Sequence, residues 1–151
     1  MNKVDPVIMT FDVPLSPAVA FDLFTSELDT WWPFIGHSCT DDEHAKVHFD
    51  QRVGGQVLER SADESRSFVW GTIIEWDAPT RFSMSWHPGQ PADQATKLAV
   101  SFAKSAEGCT VTLIHDGWEA RGEKGLEMRG MYAQGWVGVT QSYTARAKES
   151  V

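Results

Sequence analysis

The sequence predicts an α+β domain in which a curved antiparallel sheet of six to seven strands wraps around one long C-terminal helix. Three observations predict it. From residue 45 to residue 118, apolar segments of period two alternate with short turn clusters, the pattern of a meander. One amphipathic stretch, Gly125–Ser150, closes the chain. Seven Trp and eight Phe stand against only two Tyr, and aromatics at that density fill a wide core or line a ligand cavity.

The long helix is read from its face. Met128, Met131, Tyr132, Gly135, Trp136, Val139, Tyr143 and Ala147 recur at steps of three and four. Gly130, Gly135 and Gly138 each cost about 1 kcal/mol against Ala, so packing must hold this helix. Its glycines either let it lie close to the sheet or leave room for a ligand near Gly135, between Met131 and Trp136.

The remaining elements follow in order. Val7–Val13 alternates as a strand and stops at Pro14. Ser16-Pro17 reads as an N-cap with Pro at the first helical position, opening a short helix with Ala20, Phe21, Phe24 and Leu28 inside. Ser26 is placed to cap a second short helix bearing Trp31 and Trp32, which Pro33 ends. After the polar loop 35–44 come strands at Ala45–Asp50, Gln56–Ser61, Phe68–Trp76, Arg81–His87, Thr96–Lys104 and Cys109–Trp118. The junctions suit hairpins. The first strand is expected beside the last, and one sheet with one covered face is α+β.

Composition sets the function classes. The 151 residues suit one domain, 1–151. A net charge of −8 without Lys/Arg clusters argues against nucleic acid or an anionic membrane as partner. The stretch MNKVDPVIMTFDV lacks the apolar core of a signal peptide, and no segment is long and apolar enough to span a bilayer. Cys39 and Cys109 form no CxxC, so two reduced thiols in the cytoplasm are expected. No Gly-x-Ser-x-Gly and no phosphate-cradling loop is present, and no cofactor is expected. His37-x-Cys39-x4-His44-x3-His48 offers zinc-type ligands, but the spacing fits no regular site and no metal is assigned.

Several short motifs occur in one order: Gly54-Gly55, Trp70-Gly71, Glu75-Trp76-x-x-Pro79-x-Arg81-Phe82, Ser85-Trp86, Thr110-x-x-Leu113-x-His115-x-Gly117-Trp118 and Tyr132-x-x-Gly135-Trp136. The series, from Val7 to Tyr143, resembles bacterial members of the SRPBCC (START-like, helix-grip) superfamily, in the branch named after the activator of the heat-shock-protein-90 ATPase. The resemblance implies a sheet gripping the C-terminal helix over a hydrophobic cavity. Relatives bind lipids, sterols or polyketides, some catalyse cyclisation or hydrolysis, and some act on a chaperone. The chaperone activator resembles the chain only in its C-terminal half, and 151 residues leave no room for its separate N-terminal domain. That counts against a co-chaperone.

The expected cavity wall draws on Trp32, Phe34, Trp70, Trp86 and Trp136 among the aromatics. Phe49, Met84 and Leu113 join from strands, with Met131, Gly135 and Val139 from the helix. Trp31 and Trp118 complete the aromatic set. Loops Phe34–His44 and Pro88–Ala95 and the helix start would form the mouth, with His37 and Cys39 there. His115 shares a strand face with Leu113 and either enters the cavity, where it could orient or protonate a ligand, or is a neutral core histidine. Glu59 either points inward with Val57, giving an acid/base pair with His115, or sits in a surface ion pair with Arg60 or Arg81. The leading function is binding of a hydrophobic small molecule, lipid-like or polyketide-like. The alternatives are a cyclase or hydrolase using Glu59 and His115, and a chaperone-associated interaction module. An exposed edge strand allows a monomer or a homodimer.

Overall fold

A computed structural model describes residues 4–151; the first three residues of the stretch read above for a leader lie outside the described residues. The chain runs β1 (Val7–Val13), α1 (Pro17–Phe24), β2 (Lys46–Phe49), β3 (Gln56–Arg60), β4 (Ser67–Asp77), β5 (Arg81–Trp86), β6 (Thr96–Ser105), β7 (Gly108–Asp116) and α2 (Gly125–Glu149). Among the described residues these strands make one seven-stranded antiparallel sheet, ordered β1-β7-β6-β5-β4-β3-β2. β1 does pair with the last strand, Val7 opposite His115 and Phe11 opposite Val111. The sheet curls as a half-barrel around α2. No helix among the described residues is long and apolar enough to cross a membrane.

Strand alternation sets the inner face. Phe82, Met84 and Trp86 on β5, Leu98, Val100 and Phe102 on β6, and Val111, Leu113 and His115 on β7 are all buried. α1 starts as its sequence predicts: Ser16 Oγ accepts from the Val19 N–H at 3.3 Å, with Pro17 at the first position. Phe21 and Phe24 of α1 meet Phe82 and Phe102 with ring centroids 5.3–6.1 Å apart. Tyr143 of α2 closes this aromatic core; its hydroxyl donates to the Ala20 carbonyl at 2.7 Å.

Glycine is needed where the sheet turns and where its strands press together. Gly54 turns β2 into β3 with φ +86°, the left-handed region that L side chains avoid. A Cβ on Gly71 would lie 1.7 Å from the Ser85 carbonyl oxygen, where β4 presses against β5.

Two expectations are corrected. Where a second helix is predicted, the chain forms a single 3-10 turn, Leu28–Thr30, and Trp31 and Trp32 follow it. Ser26 Oγ donates back to the Asp22 carbonyl at 3.1 Å instead of capping forward, and Trp31 Nε1 is drawn to the Leu23 carbonyl at 2.7 Å. The stripe along α2 is buried from Trp136 onward, through Val139, Tyr143 and Ala147, whereas Met131 is 63% exposed. The helix is buried most deeply along its C-terminal half; nearer its start it is held at one side, by Tyr132 with its ring 4.8 Å from that of His115 and by Arg129 on the Asp5 and Pro6 carbonyls.

Gly130 lies on the exposed side of α2, and a Cβ there would meet nothing within 4 Å. Gly130→Ala is expected to stabilise the protein by about 1 kcal/mol, read as a higher midpoint in urea unfolding. A lower midpoint would mean that an unseen contact needs the glycine.

Candidate functional site

Between α2, two loops and the sheet lies a cavity of about 330 Å³. Trp32, Trp70, Trp86 and Trp136 form its inner wall as a basket of indoles. Trp32 stands 4.9 Å from Trp70, Trp70 stands 5.4 Å from Trp86, and Trp86 stands 5.5 Å from Trp136, between ring centroids. Met128, Met131 and Tyr132 of α2 form the outer wall, with Gly36–Cys39 and Pro88 of two loops at the rim.

Three of the four indoles are fixed by a hydrogen bond. Trp32 Nε1 donates to the His37 carbonyl at 2.9 Å, Trp70 Nε1 to Glu59 Oε1 at 2.8 Å, and Trp136 Nε1 to His115 Nδ1 at 3.0 Å. Trp86 Nε1 is buried without a hydrogen-bond partner among the described residues.

Glu59 points inward with Val57 and is fully buried. Beyond the Trp70 bond, its two carboxylate oxygens accept the Cys39 and Thr40 N–H groups at 2.9 Å each. The carboxylate therefore staples the rim loop to the sheet. The surface-pair alternative falls away: Arg60 reaches Glu64 and Arg81 reaches Glu75, both at the surface.

His115 is also fully buried, with both ring nitrogens engaged. Because Nδ1 accepts from Trp136, Nε2 carries the proton and donates to Thr96 Oγ1 at 2.6 Å. Thr96 then donates to the Trp86 carbonyl at 3.2 Å. Burial, aided by the nearby Arg121 cation, pushes the imidazole down to about 3. A neutral, doubly bonded ring of this kind orients Trp136. Neither His115 nor Glu59 is on the cavity wall, so the two do not meet in a common cleft there.

The remaining expected wall residues divide by depth. Trp32, His37, Trp70, Trp86, Met131, Gly135, Trp136 and Val139 line the cavity. Phe34, Phe49, Met84 and Leu113 face inward but are packed in the core beneath it. Met128 and Tyr132 line it without having been singled out, although both belong to the predicted α2 stripe. Gly135 and Gly138 face His37: a Cβ on either would meet its ring in ordinary contact at 3.8 Å.

Among the described residues no three His, Cys, Asp or Glu side chains come together as a metal site. Cys39 is on the rim, but burial and the adjacent Glu59 carboxylate push its thiol up to about 12. At neutral pH it is protonated and a poor nucleophile.

The family described as activator of Hsp90 ATPase homolog 1-like protein matches the chain over residues 14–143. No curated protein matches the sequence. Among similar solved structures, a protein from Mesorhizobium loti is 12% identical with a TM-score of 0.70, over 97% of this chain and 98% of that one. The Aha1 dimer from Colwellia psychrerythraea is 11% identical with a TM-score of 0.68, over 93% and 94%. An anthrahydroquino-γ-pyrone synthase is 26% identical with a TM-score of 0.66, over 96% and 97%. The match spans most of the chain and agrees with its gripped helix, so the chain belongs to the family of activator of Hsp90 ATPase homolog 1-like proteins.

Proposed function

We propose that the protein binds a hydrophobic, ring-containing small molecule between the indole basket and α2. The observation that carries this reading is the cavity itself: about 330 Å³ walled by four tryptophans, under a helix segment with an exposed Met131. Its volume sits at the lower end of the roughly 300–1,000 Å³ of ligand pockets, which suits two or three fused rings. The flat indole faces favour offset or edge-on ring contacts, and the methionines adapt to shape. Similarity to the anthrahydroquino-γ-pyrone synthase supports an aromatic occupant.

Apolar burial alone gives modest affinity. A two-ring body buries about 200 Å², worth about 5 kcal/mol at roughly 25 cal/mol per Å², or a Kd of about 0.2 mM. Ordering costs reduce it further. A tight ligand therefore needs polar anchors.

The same similarity favours catalysis as a second reading. Its chemistry would fall to His37 and Tyr132 on the wall, since Cys39 is protonated and His115 is sealed behind Trp136. The chaperone-associated reading rests on the family description alone.

Native mass spectrometry tests the first reading, with Gly135→Leu as comparison. Leucine there projects into the cavity and suits a helix. The wild type is expected to carry a non-covalent mass, or to gain thermal stability from aromatic polyketides or acyl lipids, and Gly135→Leu to lose either by at least about tenfold in affinity. No retained mass and no stabilisation in the wild type, or equal binding by the variant, overturns it.

A further inference from the structure

Arg121 is a buried charge with no ion-pair partner among the described residues. It lies in the 3-10 segment Trp118–Lys124, which joins β7 to α2, and is 8% exposed. Its Nε and Nη2 are buried and have no hydrogen-bond partner among the described residues. Nη1 donates to the Met128 thioether at 3.6 Å, a weak acceptor. A guanidinium cannot shed its proton, and an unpaired buried cation is costly. The side chain must do something that offsets this cost.

Its surroundings indicate what. Arg121 lines a second recess of about 670 Å³, together with Gln90, Gln94 and Lys124. Met128 and Met131 line both this recess and the indole cavity, so they form the partition between them. The first turn of α2 opens at the same place, and no side chain caps its N–H groups, which adds positive field. Glu127 also lies on the wall, one exposed carboxylate against two cations.

We propose that Arg121 is the head-group site for the carboxylate of an amphipathic aromatic acid whose rings occupy the indole cavity. The proposal rests on the cavity reading above and names the ligand class. Nε and Nη2 are sealed in the ligand-free structure, so Met128 must shift before the carboxylate takes the Arg121 donors in a charge-assisted pair. The flexible Met128 side chain gives up Nη1 and lets the rings and the acid lie on either side of the partition. Lys124 and the α2 N-terminus supply the outer part of the positive field.

The test uses a matched pair, 2-naphthoate and the neutral 2-acetonaphthone, titrated against tryptophan fluorescence in wild type, Arg121→Met and Arg121→Lys. Wild type is expected to bind the acid at least about tenfold more tightly than the ketone. Arg121→Met should erase that preference and keep the ketone affinity, while Arg121→Lys keeps part of the preference. Thermal unfolding without ligand should show Arg121→Met no less stable than wild type, because the cation has no ion-pair partner among the described residues and only the weak Met128 acceptor. Equal binding of acid and ketone by wild type overturns the inference and leaves the cavity reading standing. Binding of neither overturns both. A marked loss of stability in Arg121→Met would mark the residue as structural and also overturn the inference.

Discussion

Glu59→Ala is expected to destabilise the protein by about 4 kcal/mol or more, lowering the unfolding midpoint by about 10 °C. The carboxylate accepts hydrogen bonds from the Cys39 N–H, the Thr40 N–H and Trp70 Nε1, and the variant leaves all three donors without that acceptor. A buried donor without a partner costs about 1–3 kcal/mol, so the loss grows with each one that water cannot reach. Glu59→Gln retains one acceptor oxygen and turns an amide NH2 toward the other donors, so about half the loss is expected. Binding should fail before folding does. The loop that Glu59 holds carries Gly36, His37, Ser38 and Cys39 to the cavity rim, and a released loop takes that wall with it. Urea unfolding measures the stability, and protease nicking within residues 36–44 reports the loop. A cost below about 1 kcal/mol with an unnicked loop would show that Glu59 is not the staple.

The role of Glu59 also shows where reading the sequence stops. Its inward direction follows from alternation with Val57. Its partners do not, because two of them are backbone N–H groups in an irregular loop, and such groups carry no residue-type signal. The strand faces were legible in the same way: Phe82, Met84 and Trp86 share one side because the period of a strand is two. Depth along that side was not. Met84 and Leu113 are packed away in the core, whereas Trp86 lines the cavity. That division depends on how the helix and the rim loops pack over the sheet, which the continuous stripe from Met128 to Ala147 does not reveal. Arg121 was hidden for a related reason. In sequence it belongs to a Gly- and charge-rich connection, the kind of segment that ordinarily lies in solvent. Only the tertiary placement of the 3-10 segment buries it.

His115 is expected to make the fold acid-sensitive, with a loss approaching 5 kcal/mol. Its folded-state value is pushed down to about 3, chiefly by burial and secondarily by Arg121, against 6.5 when unperturbed. The unfolded chain therefore takes up this proton first as pH falls. The contribution is present in full above about pH 6.5 and is lost between there and about pH 3, at up to about 1.4 kcal/mol per pH unit. Carboxylates titrate over part of the same range, so the measurement is a difference. Denaturant unfolding of wild type and His115→Gln is compared from pH 7 to pH 4.5. Glutamine offers Trp136 Nε1 an acceptor and Thr96 a donor but does not titrate. Wild type should lose about 2–3 kcal/mol more than the variant across that interval. Parallel curves would show that the imidazole protonates as readily inside the fold as outside it. Arg121→Met then separates the two causes. The burial of His115 remains and the cation goes, so the acid-sensitive window should persist but close at a higher pH. A window that vanished with Arg121 would reverse the order of causes and make the cation the dominant one.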